Sequence, residues 1–188
     1  MKTFVLVLVA TSFYNVHAKA QDALGDKNSK QVNKASLPTP KEKEQLFYLQ
    51  RDPNANTVVY TLNKKDGKID EEDPVNAYWI LYEEDGERKD LTFIQRKFAY
   101  GVNYKKLADD EYEISLTSCK KLPMRLAYCP ESKQYEAFAS INNKQTIIER
   151  IFVRINGGSL FKPNIDYIEL TGRDSKSGKL IKHQLQLE

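Results

Sequence analysis

The chain has 188 residues, enough for one domain with a sizeable core, and its formal net charge is +3. Residues 44–188 are nearly neutral, with 22 Lys and Arg against 23 Asp and Glu, so the excess positive charge lies before them. A near-neutral domain lacks the clustered basic surface that nucleic-acid binding needs, and we expect no nucleic-acid partner.

The first residues have the pattern of a secretory signal peptide. Lys2 is followed by an apolar run over residues 4–10, and small residues permit cleavage after Ala18 or Ala20. The run is shorter than the ~20 residues of a membrane-spanning helix, and no later segment is apolar enough. We expect residues 1–18 to be removed and the mature protein to be periplasmic or extracellular, with no membrane span.

Residues 19–43 are rich in Lys, Ser, Asn and Gln and contain few apolar residues. Such a composition predicts a flexible polar leader, and its six lysines against three acids would also allow contact with an anionic surface. We expect a single β-rich domain over residues 44–188.

β-Branched and aromatic residues predict the first two strands, over residues 46–50 and 57–62. The Asp66-Gly67 pair that follows resembles part of a calcium-binding EF-hand loop. With Gly67 at the sixth loop position, Leu62 and Lys64 would stand where oxygen ligands are required, so the spacing fails. The segment is predicted to be an Asp-Gly turn followed by an acidic loop.

Residues 75–101 contain the only Trp and the densest aromatic run of the chain. Residues 76–82 are apolar on both faces, which is typical of a central strand covered on both sides. Residues 90–101 predict a covering helix, with Asp90 as N-cap and Gly101 at its C-terminal end. Its apolar stripe would comprise Leu91, Ile94, Phe98 and Val102.

Further strands are predicted after the helix, separated by turn residues. They cover residues 111–118, 124–128, 135–141, 146–155, 165–171 and 180–187. The pattern predicts a mainly β fold, an antiparallel sandwich or partly closed barrel of about eight strands with one covering helix at about 90–101.

Two cysteines, Cys119 and Cys129, are present, and in an oxidising compartment they would be able to pair. A hairpin centred near Met124 would place them opposite one another. The alternative is two buried free thiols.

The residues offer little catalytic chemistry. His183 is the only His after the predicted signal peptide, which excludes a His-rich metal site, and its apolar neighbours favour a structural role. Glu149 lies among apolar residues of its strand and is the one acid out of pattern, so it is the only candidate for carboxylate-based hydrolysis. We assign no catalytic residue, metal or cofactor.

Aromatic side chains with polar tips suit sugars, peptides and partner proteins. The candidate binding residues are Trp79, Tyr82, Gln95, Arg96 and Tyr100. The expected partner is a small molecule, a glycan or an envelope protein of unknown identity.

Three stretches carry a resemblance to a known family: QLFYLQR (45–51), AYWILYEEDGERKDLTFIQRKFAYG (77–101) and DYIELTG (166–172). They resemble an uncharacterised family of secreted bacterial domains of unknown function, of the DUF4833 type, over roughly residues 44–188. The resemblance implies a single domain in a bacterial envelope or extracellular setting, and it implies no activity and no catalytic residue.

Three functions remain open from the sequence. The first is a non-catalytic binding module that uses an aromatic-lined face near Trp79. The second is an envelope structural or assembly protein that pairs through a sheet edge. The third, least favoured, is a hydrolase that works through Glu149 and a second carboxylate.

Overall fold

The fold is known from a computed structural model that describes residues 31–159 and 162–185. It contains thirteen strands, a short 3₁₀ turn at Lys34–Ser36 and one two-part helix in this range. The strands are β1 (Gln45–Arg51), β2 (Thr57–Leu62), β3 (Lys64–Lys65), β4 (Lys68–Ile69), β5 (Val75–Leu81), β6 (Glu87–Asp90), β7 (Val102–Ala108), β8 (Glu111–Leu116), β9 (Cys119–Cys129), β10 (Gln134–Ile141), β11 (Lys144–Ser159), β12 (Lys162–Asp174) and β13 (Leu180–Leu185). The helix, α1, spans Phe93–Gln95 as an α-turn and Arg96–Tyr100 as a wider π-turn.

Nine strands form one curled sheet, a half-barrel, in the order β6-β5-β2-β1-β11-β10-β9-β8-β7. The pairing of β1 with β11 is parallel, and the other pairs in the sheet are antiparallel. β12 lies along β11, and β13 lies beyond β12. The mainly β fold with one helix predicted from the sequence is confirmed.

The helix joins the two ends of the curled sheet. β6 is the terminal strand on one side and β7 on the other, and α1 is the connection between them. The helix therefore lies where the half-barrel would have to close.

The main hydrophobic core contains the inward-facing side chains of both arms of the sheet. β5 contributes Ala77, Trp79 and Leu81 to this core, while Tyr78 and Ile80 pack on the opposite face with Tyr48 and Val59. The prediction that this strand is covered on both sides is confirmed.

Of the two states that the sequence left open, the structure has no Cys119–Cys129 bond. Both cysteines are free thiols, and they lie at the two ends of the single strand β9. The five residue steps from Met124 to Cys129 alone span about 16 Å, and Cys119 lies beyond Met124 along β8, whereas a disulfide requires Cα atoms within ~7 Å. The hairpin turn precedes Cys119 instead of falling near Met124.

The last part of the predicted flexible leader packs against the sheet. Asp52 Oδ1 accepts a hydrogen bond from the Val32 N–H at 2.8 Å, and Gln50 donates one to the carbonyl of Pro38 at 2.7 Å. Lys34 forms an ion pair with Glu169 at 2.6 Å. We call residues 31–40 the strap; the earlier leader residues and the predicted signal peptide lie outside the described range.

Candidate functional site

The helix begins at Thr92 because this residue forms a capping box. The Thr92 Oγ1 accepts a hydrogen bond from the Gln95 N–H at 3.3 Å, and Gln95 Oε1 accepts one from the Thr92 N–H at 2.9 Å. Asp90, predicted as the N-cap, instead ends strand β6. The predicted helix therefore exists but starts later than the sequence indicated.

The end of the helix depends on Gly101. A Cβ atom at this position would lie 2.0 Å from the carbonyl oxygen of Arg96, so no other residue fits without a backbone shift. The prediction of Gly101 at the helix end is confirmed by its position as C-cap, and its structural reason is this close approach.

The π-turn decides which side chains face the core. In an α-helix Phe98 would lie three residues after Gln95 on nearly the same face. The wider turn keeps Ala99 on that face and brings Tyr100, five residues after Gln95, onto it, and Gln95, Ala99 and Tyr100 are buried. The predicted apolar stripe is wrong for Ile94 and Phe98, which face outward.

Tyr100 fixes the inner face of the helix to the sheet. Its hydroxyl accepts a hydrogen bond from Arg51 Nε at 2.8 Å, and its carbonyl accepts one from the Tyr60 hydroxyl at 3.0 Å. Its ring packs edge-on against Trp79 with centroids 4.9 Å apart. Burial raises the pKa of Tyr100 against the opposing influence of Arg51, so the phenol is neutral at physiological pH.

The structure brings only part of the predicted binding set together. Trp79, Gln95 and Tyr100 meet in the interior, and Trp79 Nε1 donates a hydrogen bond to Gln95 Oε1 at 3.4 Å. Arg96 is half-buried on the helix. Tyr82 packs on the opposite face of the sheet, against the Tyr78 cluster. These residues do not form one exposed aromatic surface, and ligand binding by them remains a prediction.

The outward side of the helix is apolar. Phe93 is 75% exposed, Ile94 50% and Phe98 45%. The Lys97 Nζ lies between the two rings, 5.5 Å from the centroid of Phe93 and 5.4 Å from that of Phe98. We call these four residues the exposed helix face.

The exposed helix face lies in a segment that is rich in exposed apolar side chains and contains no acidic residue. Five of the seven large exposed apolar side chains found in residues 31–159 and 162–185 fall between Phe93 and Leu107. No acidic residue occurs from Leu91 to Ala108, whereas four basic residues do. Sequence reasoning missed Phe93, although the absence of acids beside aromatic residues was a visible signal.

Two clefts lie elsewhere on the surface. One, of about 340 Å³, is lined by Lys43, Lys64, Lys133 and the paired rings of Tyr128 and Tyr135. The other, of about 480 Å³, is wider and lies along β9 and β10. Neither includes a residue of the exposed helix face.

Glu149 lies at a β-bulge, where the register of β11 against β12 shifts between Ile148 and Arg150. The bulge turns Glu149 toward the surface, where its side chain is 44% exposed and lies 3.4 Å from Nε of Arg173. The bulge and this ion pair account for Glu149, the one acid that the sequence placed among the apolar residues of its strand. In the described residues, no three His, Cys, Asp or Glu side chains are grouped as metal ligands, and no helix is long and apolar enough to cross a bilayer.

The fold and the helix define a class of protein, a mainly β half-barrel whose open side carries a helix with an apolar outer surface. The sequence profile of one family, described as a domain of unknown function (DUF4833), matches residues 47–184. The chain belongs to this family. No curated protein and no solved structure matches the chain in the comparisons.

Proposed function

We propose that the protein is an exported, non-catalytic binding module that docks through the exposed helix face. One observation carries the proposal: the helix turns Phe93, Ile94 and Phe98 toward solvent and its polar Gln95 toward the core. Grouped apolar side chains on a surface are typical of interaction sites, because leaving them in water costs free energy that a partner recovers.

The helix is held rigidly enough to act as a docking element. The capping box fixes its start, Gly101 its end, and the Tyr100 contacts with Arg51 and Trp79 fix its rotation. A surface ordered before binding loses little conformational entropy when it binds. Rigid aromatic side chains are also enriched among the residues that dominate interface energies.

The proposed setting is the periplasm or the extracellular space. The N-terminal pattern of Lys2, the apolar run at residues 4–10 and cleavage after Ala18 supports export. N-terminal sequencing of the protein secreted by its natural host would test this: a mature start at Lys19 or Gln21 is expected, and an intact Met1 would contradict it.

Site-specific photo-crosslinking tests the docking surface. A benzophenone amino acid replaces Ile94, or Leu180 as a matched control that is 65% exposed on β13. Both proteins are expressed in the natural host and irradiated, and the adducts are identified by mass spectrometry. We expect an adduct of defined composition at position 94, lost when Phe93 and Phe98 are replaced by Ser.

An equal yield of the same adducts from both positions would overturn the proposal, as would the absence of any adduct at position 94. Circular dichroism of the Ser variant separates loss of binding from loss of fold. Since Phe93 and Phe98 are exposed, we expect its spectrum to be unchanged.

Assembly through a sheet edge is the second proposed function. Among the described residues β13 pairs with β12 on one side only, so its other edge offers backbone groups to a further strand. Sedimentation at increasing protein concentration tests this proposal. Self-association that is abolished by Lys182→Pro on β13 would support it, and a monomer at all concentrations would exclude self-pairing.

A further inference from the structure

We infer that the partner of the exposed helix face is an anionic lipid surface, which the face enters only to the depth of its side chains. The inference rests on the proposed function and specifies its partner. It follows from the shape of the face, its charge and the attachment of the helix to the half-barrel.

The shape favours a fluid partner over a shaped protein groove. Phe93 is the most exposed large apolar side chain of the described residues, and Ile94 and Phe98 are also half-exposed or more. The side chains project outward instead of lining a cleft, and the clefts at Tyr128 and along β9 and β10 lie elsewhere. A bilayer accommodates such separate projecting side chains, whereas a protein partner must offer a matching pocket for each.

The charge within the face favours an anionic surface. Residues 91–108 carry four basic residues and no acid, whereas the rest of residues 44–188 carries 18 basic residues against 23 acids. Two of these cations are partly neutralised, since Lys106 pairs with Glu71 at 2.9 Å and Arg96 lies in the field of Asp73. Lys105 stands opposite Glu113 across the β7–β8 pair, which leaves Lys97, within the exposed helix face itself, to interact with lipid headgroups.

The position of Lys97 suits the boundary between headgroups and acyl chains. Its ammonium group lies between the rings of Phe93 and Phe98, so the cation and both apolar groups reach the same surface. Long basic side chains place their charge at the headgroups while neighbouring apolar groups enter the acyl region. Lys97 therefore contributes both to attraction and to orientation.

The helix enters the lipid as a wedge. Its eight residues give a length of about 12 Å, far below the thickness of a bilayer. The inner face is fixed to the core through Tyr100, so the helix does not rotate or leave the half-barrel. The predicted consequence is shallow, reversible binding that depends on both apolar insertion and charge.

Vesicle flotation tests the inference directly. The purified chain, as processed by its expression host, is mixed with phosphatidylcholine vesicles that contain either no phosphatidylglycerol or about one third of it. We expect binding to the anionic vesicles, weaker binding to the neutral ones, and a several-fold decrease at about 0.5 M salt because the charges are screened.

Variants distinguish binding through the exposed helix face from non-specific adsorption of the protein to vesicles. Phe93→Ser with Phe98→Ser should lower binding to anionic vesicles at least about tenfold, and Lys97→Glu should lower it several-fold. Tyr128→Ser and Leu180→Ser are matched controls, because these side chains are 51% and 65% exposed outside the face. The controls should bind like the unmodified protein, and circular dichroism should show all variants folded.

Three outcomes overturn the inference. The first is no binding to anionic vesicles, and the second is a loss of vesicle binding in the Tyr128 and Leu180 controls equal to that of the Phe93 and Phe98 variant. The third is binding that depends neither on lipid charge nor on salt. If the protein does not bind vesicles but crosslinking at position 94 gives a defined protein adduct, the proposed function stands, with an apolar, acidic protein as the partner. If both fail, the docking surface itself is refuted.

Discussion

Trp79 on β5 donates a hydrogen bond from its indole Nε1 to Oε1 of Gln95, 3.4 Å away on the helix. The same Gln95 oxygen accepts the N–H of Thr92 and so completes the capping box. One amide oxygen thus links the start of the helix to β5, the strand next to one edge of the sheet. The exposed helix face depends on this buried link, because the link fixes which side of the helix points outward.

Replacing Gln95 with Ala should destabilise the fold by about 1–3 kcal/mol. The buried indole N–H would lose its partner, and half of the capping box would be removed. Urea unfolding followed by the fluorescence of Trp79, the only Trp of the chain, measures this change. The matched control is Lys97→Ala on the exposed side of the same helix, which should change the free energy of unfolding by less than about 0.5 kcal/mol. Equal stability of the Gln95 variant and the unmodified protein would show that the link is not needed.

The strap should stabilise the domain. A protein that starts at residue 41 should unfold at lower urea than one that starts at residue 31, by roughly 2–4 kcal/mol in free energy. The shorter form loses the hydrogen bonds of Val32 and Pro38 and the contact of Arg150 with the carbonyl of Lys34. The two proteins differ only in the strap, so the longer one serves as the control for the shorter one. Equal urea midpoints would mean that the strap contributes nothing to the free energy of unfolding.

The cysteines should both react with an alkylating agent in urea without any reductant. Their positions at opposite ends of β9 prevent an intramolecular bond. Intact mass spectrometry should find two added groups on each chain. In the native protein Cys119 should react slowly at neutral pH, because burial raises the pKa of its thiol. A chain that takes up no group until it is reduced would contradict the structure of β9.

The sequence predicted the features that depend on residue type and strand alternation. The two-sided strand β5 and the alternation of Tyr112, Ile114 and Leu116 are examples, and all three of these β8 side chains are buried. Alternation holds because successive strand residues point to opposite faces of a sheet.

The errors have local physical causes. The helical stripe failed because a π-turn changes the number of residues per turn, and a periodicity of 3.6 cannot represent it. Glu149 was misplaced because a β-bulge interrupts the alternation of β11. The strap was taken as a linker because its polar composition conceals specific contacts, such as that of Val32 with Asp52, made to residues distant in sequence.

Tyr78 should contribute to unfolding at high pH. It is 1% exposed, and burial together with its hydrogen bond to Glu42 raises its pKa from 10.0 to about 12. Between these two values the unfolded chain loses the phenolic proton while the folded chain keeps it, so stability is full below pH 10 and falls as the pH rises through 12. Thermal unfolding from pH 8 to 12 should therefore show a steeper decline for the unmodified protein than for Tyr78→Phe. Tyr128→Phe, at a half-exposed ring, is the control and should decline like the unmodified protein. Identical slopes for all three proteins would mean that Tyr78 titrates alike in the folded and unfolded chains.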